Sequence, residues 1–161
     1  MTTYTATERR SHLLAAAGQG DAYTVKNLTA TIEVAATTTQ GRTINFGYIP
    51  SNARLLGSSR VSWDDMSNAG SPTLDLGLGA VDGNLAQADD PDALSNGHDL
   101  SAATSDALAI TLFADYGLPA WDFVASETSD PGGVLMVYGT VLDAATTVIG
   151  TVTLEMNYVL D

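Results

Sequence analysis

Apolar and polar residues alternate along much of the chain after residue 23, and the alternation predicts β-strands. Residues 27–36, NLTATIEVAA, and residues 151–161, TVTLEMNYVLD, both place an apolar side chain at every second position. Successive side chains of a strand point to opposite faces, so this period indicates two strands that are each buried on one side. The core-facing positions predicted here are Leu28, Ala30, Ile32, Val34, Val152, Leu154, Met156 and Tyr158.

Several further stretches have strand character, and turn residues separate them. Residues 82–104, rich in Asp, Asn, Gly and Ala, are expected to form a long surface loop instead. Seven or eight short strands with turns between them predict an all-β domain over residues 23–161, an antiparallel β-sandwich of jelly-roll-like type. The other predicted strands are 42–50, 53–63 with an interruption near Gly57, 72–81, 107–113, 120–126 and 133–143.

The first 22 residues lack this alternation and are predicted to form an extended N-terminal arm. Residues 8–17 have the composition for one or two helical turns, which are marginal when isolated. Two interpretations stay open for the arm. It is either a frayed terminus or a segment that docks on a partner.

Composition narrows the function classes. The chain has 161 residues, 45% of them apolar, which suits one domain with a real core. Six basic and nineteen acidic residues give a net charge of -13, which disfavours nucleic acid and anionic membranes as partners. No stretch has the length of a transmembrane helix, and the absence of cysteine excludes disulfides and thiolate metal sites.

The adjacent carboxylates Asp64 and Asp65 are the first candidates for chemistry. In an extended chain their side chains point to opposite faces, so they cannot share one substrate proton. The stretch MSNAGSP follows them, and Asp and Asn accept backbone N–H groups in such turns. We therefore predict that Asp64, Asp65, Asn68 and Gly70 shape a turn, with an active site as the alternative.

Two other acidic features have alternative interpretations. Asp75 lies between Leu74 and Leu76, so it is expected on the opposite face, exposed to solvent or at a subunit interface. The acidic residues of 82–99 suit calcium in number, but their spacing lacks the EF-hand loop pattern. We predict ordinary turn residues there, and no metal.

No enzyme emerges from the remaining motifs, and no cofactor is predicted. The two histidines, His12 and His98, are not placed in a recognised nucleophilic motif, and phosphate-binding glycine motifs are absent. Trp63 and Trp121 fit a core or an interface, with a sugar-stacking platform as the alternative.

An ordered series of motifs spans residues 43–161. It begins with TINFGYIPSNARLLGSSRVSWDDMSNAGSPTLDLGLG, continues through DDPDALSNGHDLSA and closes with GTVTLEMNYVLD. This series resembles the head decoration, capsid cement or stabilisation proteins of tailed bacteriophages. In that group an I-P-x-x-A approach, a TLdlGlg strand, an acidic excursion and a closing strand that ends in Y-v-x-D follow in this order.

The resemblance implies a β-sandwich protomer, commonly a homotrimer, on the outer capsid surface. There it would bridge subunits of the major capsid protein and stabilise the head. The arm is then expected to reach a neighbouring subunit. Another virion part, such as a head fibre, neck or tail-tip protein, and a secreted carbohydrate-binding module stay as alternatives. The predicted capsid contacts are Arg9, Arg10, His12, Leu13 and Leu14.

Overall fold

The computed structural model describes residues 4–5, 24–38, 41–66, 70–81, 89–111, 113–124, 127–144 and 148–160. These residues form strands and two short 3₁₀ helices, and no α-helix occurs among them. The strands are β1 (Tyr4–Thr5), β2 (Lys26–Thr38), β3 (Arg42–Pro50), β4 (Arg54–Leu55), β5 (Arg60–Trp63), β6 (Gly70–Gly79), β7 (Asp90–Asp99), β8 (Thr104–Leu108), β9 (Val134–Ala144) and β10 (Val148–Val159).

The strands form two sheets, as the predicted antiparallel β-sandwich requires. Sheet A has the order β1-β3-β9-β6-β7, and sheet B has the order β2-β10-β5-β8, with β4 also paired to β10. Every pair is antiparallel except β1 with β3. The long pairs are nested, since β2 pairs with β10, β3 with β9, β5 with β8 and β6 with β7. The all-β sandwich prediction is confirmed, and the nested order is compatible with a jelly-roll-like arrangement.

The register of β2 and β10 follows directly from their alternation. Leu28 lies opposite Met156, and Ile32 lies opposite Val152, so apolar side chains face apolar side chains across the pair. A slip of one residue would turn the apolar set of the slipped strand to solvent, which fixes the register. All eight core-facing positions predicted in these two strands are buried.

The core lies between the sheets and includes the three leucines of β6. Burial of a Leu or Phe side chain stabilises a fold by about 1.5–3 kcal/mol, so these positions dominate the packing energy. The largest fully buried side chains are Phe46, Ile44, Ile49, Leu55, Met66, Leu74, Leu76, Leu78, Leu100, Ile110, Leu135 and Leu154.

The predicted loop over 82–104 is wrong for its later part, which contains β7. Leu76 of β6 pairs with Ser95, and Leu78 pairs with Asp90. A step of two residues along β6 therefore corresponds to a step of five along β7. Such irregularities destroy the period of two, and Asp, Asn and Gly are uncommon in strands. β7 is an edge strand, where Pro91 is tolerated because its missing N–H removes no internal bond.

The predicted strand over 120–126 is also wrong, because Ala120–Phe123 form a 3₁₀ helix. Trp121 and Phe123 imitate strand alternation in the sequence. Pro119 precedes them with φ -67°, however, and its carbonyl accepts a hydrogen bond from the Asp122 N–H at 3.0 Å, which closes a turn.

The predicted strand over 107–113 is only partly right. β8 ends at Leu108, and a second 3₁₀ helix spans Phe113–Asp115. After Leu108 the Ala109 N–H donates to the carbonyl of Ser59, just before β5 of sheet B, at 3.2 Å, and the Thr111 N–H donates to the carbonyl of Leu94 in sheet A at 3.1 Å. The chain therefore leaves one sheet for the other here, and apolar residues at such a crossing are buried without being in a strand.

The N-terminal arm contains a strand that alternation did not indicate. β1 pairs in parallel with β3, with Tyr4 opposite Ile44 and Thr5 opposite Asn45. The predicted helical turns at 8–17 lie outside the described residues.

Candidate functional site

The outer face of sheet B is lined with hydroxyl side chains. We call Thr29, Thr31, Ser62, Thr151 and Thr153 the threonine face. These are the polar positions of β2, β5 and β10, which alternate with the core residues. The hydroxyls of Thr31 and Thr153 lie 2.9 Å apart across the β2–β10 pair and form a hydrogen bond. This face is polar because the opposite positions of the same strands are buried.

Charged and amide groups surround the threonine face. The Asn27 amide donates to Asn157 Oδ1 at 2.8 Å and to Glu155 Oε1 at 3.3 Å. Arg60 forms an ion pair with Asp106 at 2.8 Å, and the Asp106 side chain is 75% exposed. An ion pair this open contributes little to stability. The surface therefore presents neutral hydrogen-bonding groups with acids at its margin.

A groove of about 450 Å³ opens on this face between β5 and β8. The step of two residues in β5 from Val61 to Trp63 pairs with a step of three in β8 from Ala107 to Thr104, so a bulge lies beside the groove. The lining is mainly hydroxyl and carboxylate, which suits polar groups. The groove residues are Ser62, Trp63, Asp64, Ala103, Thr104, Ser105, Thr151 and Thr153.

Neither tryptophan presents an open stacking surface of the kind that sugar platforms use. Trp63 is only 7% exposed, and its indole N–H donates to the Ala102 carbonyl at 2.9 Å. Trp121 is partly buried and packs against the core. Both residues therefore have the core role that the sequence indicated as one of two possibilities.

The predicted turn residues that the structure describes lie at the two ends of the connection between β5 and β6. Asp64 and Asp65 are exposed and follow the end of β5. Asp64 Oδ2 accepts a hydrogen bond from the Thr151 N–H at 3.0 Å, which ties the chain to β10. Gly70 begins β6 with φ 104°, a left-handed conformation that favours glycine. Asn68 lies outside the described residues.

The prediction that Asp75 is exposed is wrong. Its side chain is 5% exposed and accepts a hydrogen bond from the Gly97 N–H at 2.7 Å. Asp75 does point away from the core leucines, as alternation requires, but the irregular strand β7 folds over that face. A buried carboxylate needs such a donor, because desolvation disfavours its charge.

The same strand brings an acidic segment, Asp89–Asp92, onto the outer face of sheet A. A Cβ atom on Gly77 would lie 2.3 Å from the Asp90 carbonyl oxygen, so the segment needs glycine beneath it. Asp89 Oδ1 accepts the Ala80 N–H at 2.7 Å. Burial, then the nearby carboxylates of the segment, raise the pKa of Tyr138. The hydrogen bond from Asn96 to Asp92 lowers the pKa of that acid.

A serine–histidine pair lies between the sheets, and sequence reasoning missed it. Ser95 Oγ and His98 Nε2 are 2.8 Å apart, and the His98 ring centroid is 5.3 Å from that of Trp63. Gly97, at φ 75°, forms the bulge that turns both side chains inward. Burial lowers the pKa of His98, and the charge of Asp75 opposes that shift. Ser95 is 2% exposed, and the His98 ring is partly buried beside Trp63, so the Ser95 hydroxyl is enclosed by its neighbours.

Other predicted features lie partly beyond the described residues. The predicted capsid contacts Arg9, Arg10, His12, Leu13 and Leu14 all lie outside them. Within the described part, no three His, Asp or Glu side chains are grouped to hold a metal ion. In the same part, no helix has the length and apolar character needed to cross a membrane.

Solved phage capsids contain chains with this fold. One, the capsid of Ralstonia phage GP4, matches with a TM-score of 0.70 at 18% identity, over 99% of this chain and 99% of that one. Another, the cyanophage Pam1 capsid asymmetric unit, matches with a TM-score of 0.58 at 21% identity, over 94% and 95% of the two chains. No protein-family model and no curated protein sequence match the chain. At these identities the likeness shows a shared fold over the whole chain.

Proposed function

We propose that this protein is a structural component of a tailed-phage virion, a cement or decoration protein of the head. The whole-chain match to a chain from a phage capsid carries the proposal, because the match covers 99% of both chains. A chain with this fold therefore occurs in a solved phage capsid, matched over nearly its whole length. The motif series over residues 43–161 supports the same assignment independently.

On this proposal the protein lies on the outer capsid surface and bridges subunits of the major capsid protein, as a homotrimer. A bridging protein stabilises the shell by burying surface. A standard contact buries about 1,600 Å², and its free energy is gained again at every copy in the shell. The open threonine face and the buried Ser95 hydroxyl suit contact better than catalysis. Arg9 and Arg10 of the arm are the proposed capsid contacts, with His12, Leu13 and Leu14.

Copy number in purified particles tests this function. We expect between about one third and one copy per major capsid protein, the range for a protein that occupies regular sites between larger capsomers. Quantitative mass spectrometry of particles from the source phage measures the ratio. About a dozen copies or fewer would assign the protein to the neck, vertices or tail. Its absence from the particle would refute the virion assignment.

Rebinding to particles stripped of the protein tests the bridging role. We expect the full chain to bind and to raise the temperature at which heads release DNA. Arg9→Ala/Arg10→Ala should bind more weakly, whereas Arg54→Ala, a basic residue of the body that donates to the Gly117 carbonyl at 3.0 Å, is the matched control. Equal binding by both variants would remove the two arginines from the contact.

A further inference from the structure

We propose that the strand β1 is exchanged between copies, so that Tyr4–Thr5 of one protomer pair with the edge of β3 in a second. The inference deepens the proposed assembly role and rests on it for its biological meaning. The interaction is a strand addition, in which backbone hydrogen bonds supply the contact and the partner is a second copy of this chain. Exchange has three requirements. The edge of β3 must accept a strand, the chain between β1 and β2 must be long enough to reach a second copy, and the arm must not be repelled by that copy's negative charge.

The edge is already used by an arm in the structure. β3 is the last long strand of sheet A on its side, and β1 pairs with it in parallel over two residues. Beyond Asn45 the strand continues to Pro50, with only β9 beside it among the described residues. Every copy presents this edge, so the site that one copy's arm occupies is the same site on its neighbour.

The tether is long enough to reach a neighbour. Residues 6–25, twenty in number, separate Thr5 from the start of β2 at Lys26. An extended chain of that length spans roughly 65 Å. A domain of this size is only about 40 Å across, from a radius of gyration near 15 Å. The connection therefore does not restrict β1 to its own domain.

Charge separates the arm from the body. Residues 1–22 contain Arg9, Arg10, Glu8 and Asp21, which balance, and the rest of the chain contains four basic and seventeen acidic residues. Two bodies therefore repel one another, while a neutral arm approaches an acidic neighbour without that cost. The arm is thus the segment best suited to link copies.

Exchange in one direction makes a ring. Each copy donates β1 to the next and accepts one from the previous copy, so the contact is heterologous and closes if the rotation allows it. Closure after three copies would give the expected homotrimer. The purified protein should therefore be an oligomer, without any capsid present.

Cysteine cross-linking distinguishes the two pairings, because the chain has no cysteine of its own. Thr5 and Asn45 are paired positions, so the variant Thr5→Cys/Asn45→Cys should form a disulfide under mild oxidation. Exchange predicts a covalent ladder up to the ring on a non-reducing gel. An intramolecular bond, which leaves only monomers, would overturn the proposal.

Mixed single variants remove the remaining ambiguity. Thr5→Cys mixed with Asn45→Cys should give a covalent dimer of unlike chains, which only exchange permits. Thr5→Cys mixed with Thr29→Cys, an exposed position on the other sheet, is the control and should give none. Equal cross-linking in both mixtures would indicate random collision and would contradict the exchange.

A second measurement avoids the buried Asn45, whose side chain accepts the Gly47 N–H at 2.9 Å. Tyr4→Pro/Thr5→Pro removes both N–H donors of β1, and light scattering should fall from an oligomer to a single chain. Ala16→Pro/Gln19→Pro, in the same arm, should leave the mass unchanged. A native protein that is already monomeric would overturn the proposal. Particle rebinding by that monomer would leave the cement function intact, whereas oligomers that bind no particle would refute the function alone.

Discussion

The outer face of sheet A is covered by the protein's own chain, whereas the outer face of sheet B is open. On sheet A the acidic segment lies over Gly77, and Asp75 is buried beneath β7. On sheet B the hydroxyls of Thr31 and Thr153 bond to each other on the outer face. The covered face depends on close backbone packing and tolerates little change. The open face has groups that water can satisfy, so substitutions there should change the stability of the fold little.

The largest difference should come from Gly77→Ala on the covered face. The added Cβ would approach the Asp90 carbonyl oxygen to 2.3 Å, and backbone on both sides must shift. We expect a loss of about 3 kcal/mol in unfolding free energy, as for an overpacked core. Denaturant unfolding followed by tryptophan fluorescence measures it.

Gly117→Ala is the control that measures backbone strain without a steric clash. Gly117 has φ 84°, and a Cβ added there would meet no atom within 4 Å beyond its chain neighbours, so only the left-handed conformation is penalised. We expect a loss of about 1 kcal/mol in unfolding free energy there. Equal losses at Gly77 and Gly117 would mean that the covering segment moves aside easily.

Removal of the buried carboxylate should have the next largest effect. Asp75→Ala leaves the Gly97 N–H without its acceptor, and we expect a loss of about 2 kcal/mol. Asp64→Ala removes an acceptor of the Thr151 N–H on the open side, where water replaces it, so about 0.5 kcal/mol is expected. Asp75→Asn keeps an acceptor oxygen and should recover most of the loss. A small effect of Asp75→Ala in denaturant unfolding would contradict the buried role.

A smaller, pH-dependent effect on stability should come from His98, which lies beside the Ser95 hydroxyl and the Trp63 ring. Burial lowers its pKa below the ordinary value of 6.5, so the folded protein favours the neutral ring. Stability from this group is therefore complete above pH 6.5 and is lost as pH falls from there through the lowered pKa. His98→Gln should flatten the stability profile below pH 6.5, in the range where the native protein loses stability. An unchanged slope in His98→Gln would contradict the assignment.

The smallest effect should come from the open face. Thr31→Val and Thr153→Val replace a hydrogen-bonded hydroxyl pair by side chains of the same shape that suit strands. We expect the double variant to stay within about 0.5 kcal/mol of the native protein, because both partners are removed together. A loss as large as that of Gly77→Ala would show that the open face is as constrained as the covered one.

Sequence alternation predicted the parts of the fold in which strands are regular. β2 and β10 have an unbroken period of two, and their faces, burial and mutual register follow from it. β7 could not be predicted, because its irregularities remove the period and its composition is that of a loop. Asp75 was misassigned for the same reason, since alternation gives the direction of a side chain but not what covers it.

For the site residues too, the sequence predicted local features but not the contacts between distant positions. Asp64 was identified from its place before a turn, but its partner, Thr151, lies 87 positions away and no local pattern reveals it. Ser95 and His98 meet only because Gly97 adds a bulge between them. A glycine within a polar stretch was the available signal, and it is not specific enough to predict a side-chain pair.

The nested pairing of the strands has a consequence for the order of folding. β10, the last strand in sequence, lies between β2 and β5, and the contact of Asn27 with Asn157 spans 130 positions. Contacts this distant make folding slow, on a scale of milliseconds to seconds. Until β10 has been synthesised, β2 and β5 have no strand between them, so β2 cannot join the β5–β8 pair and sheet B stays incomplete. A growing chain therefore cannot complete sheet B before β10 emerges, and its net charge of -13 opposes aggregation in the meantime.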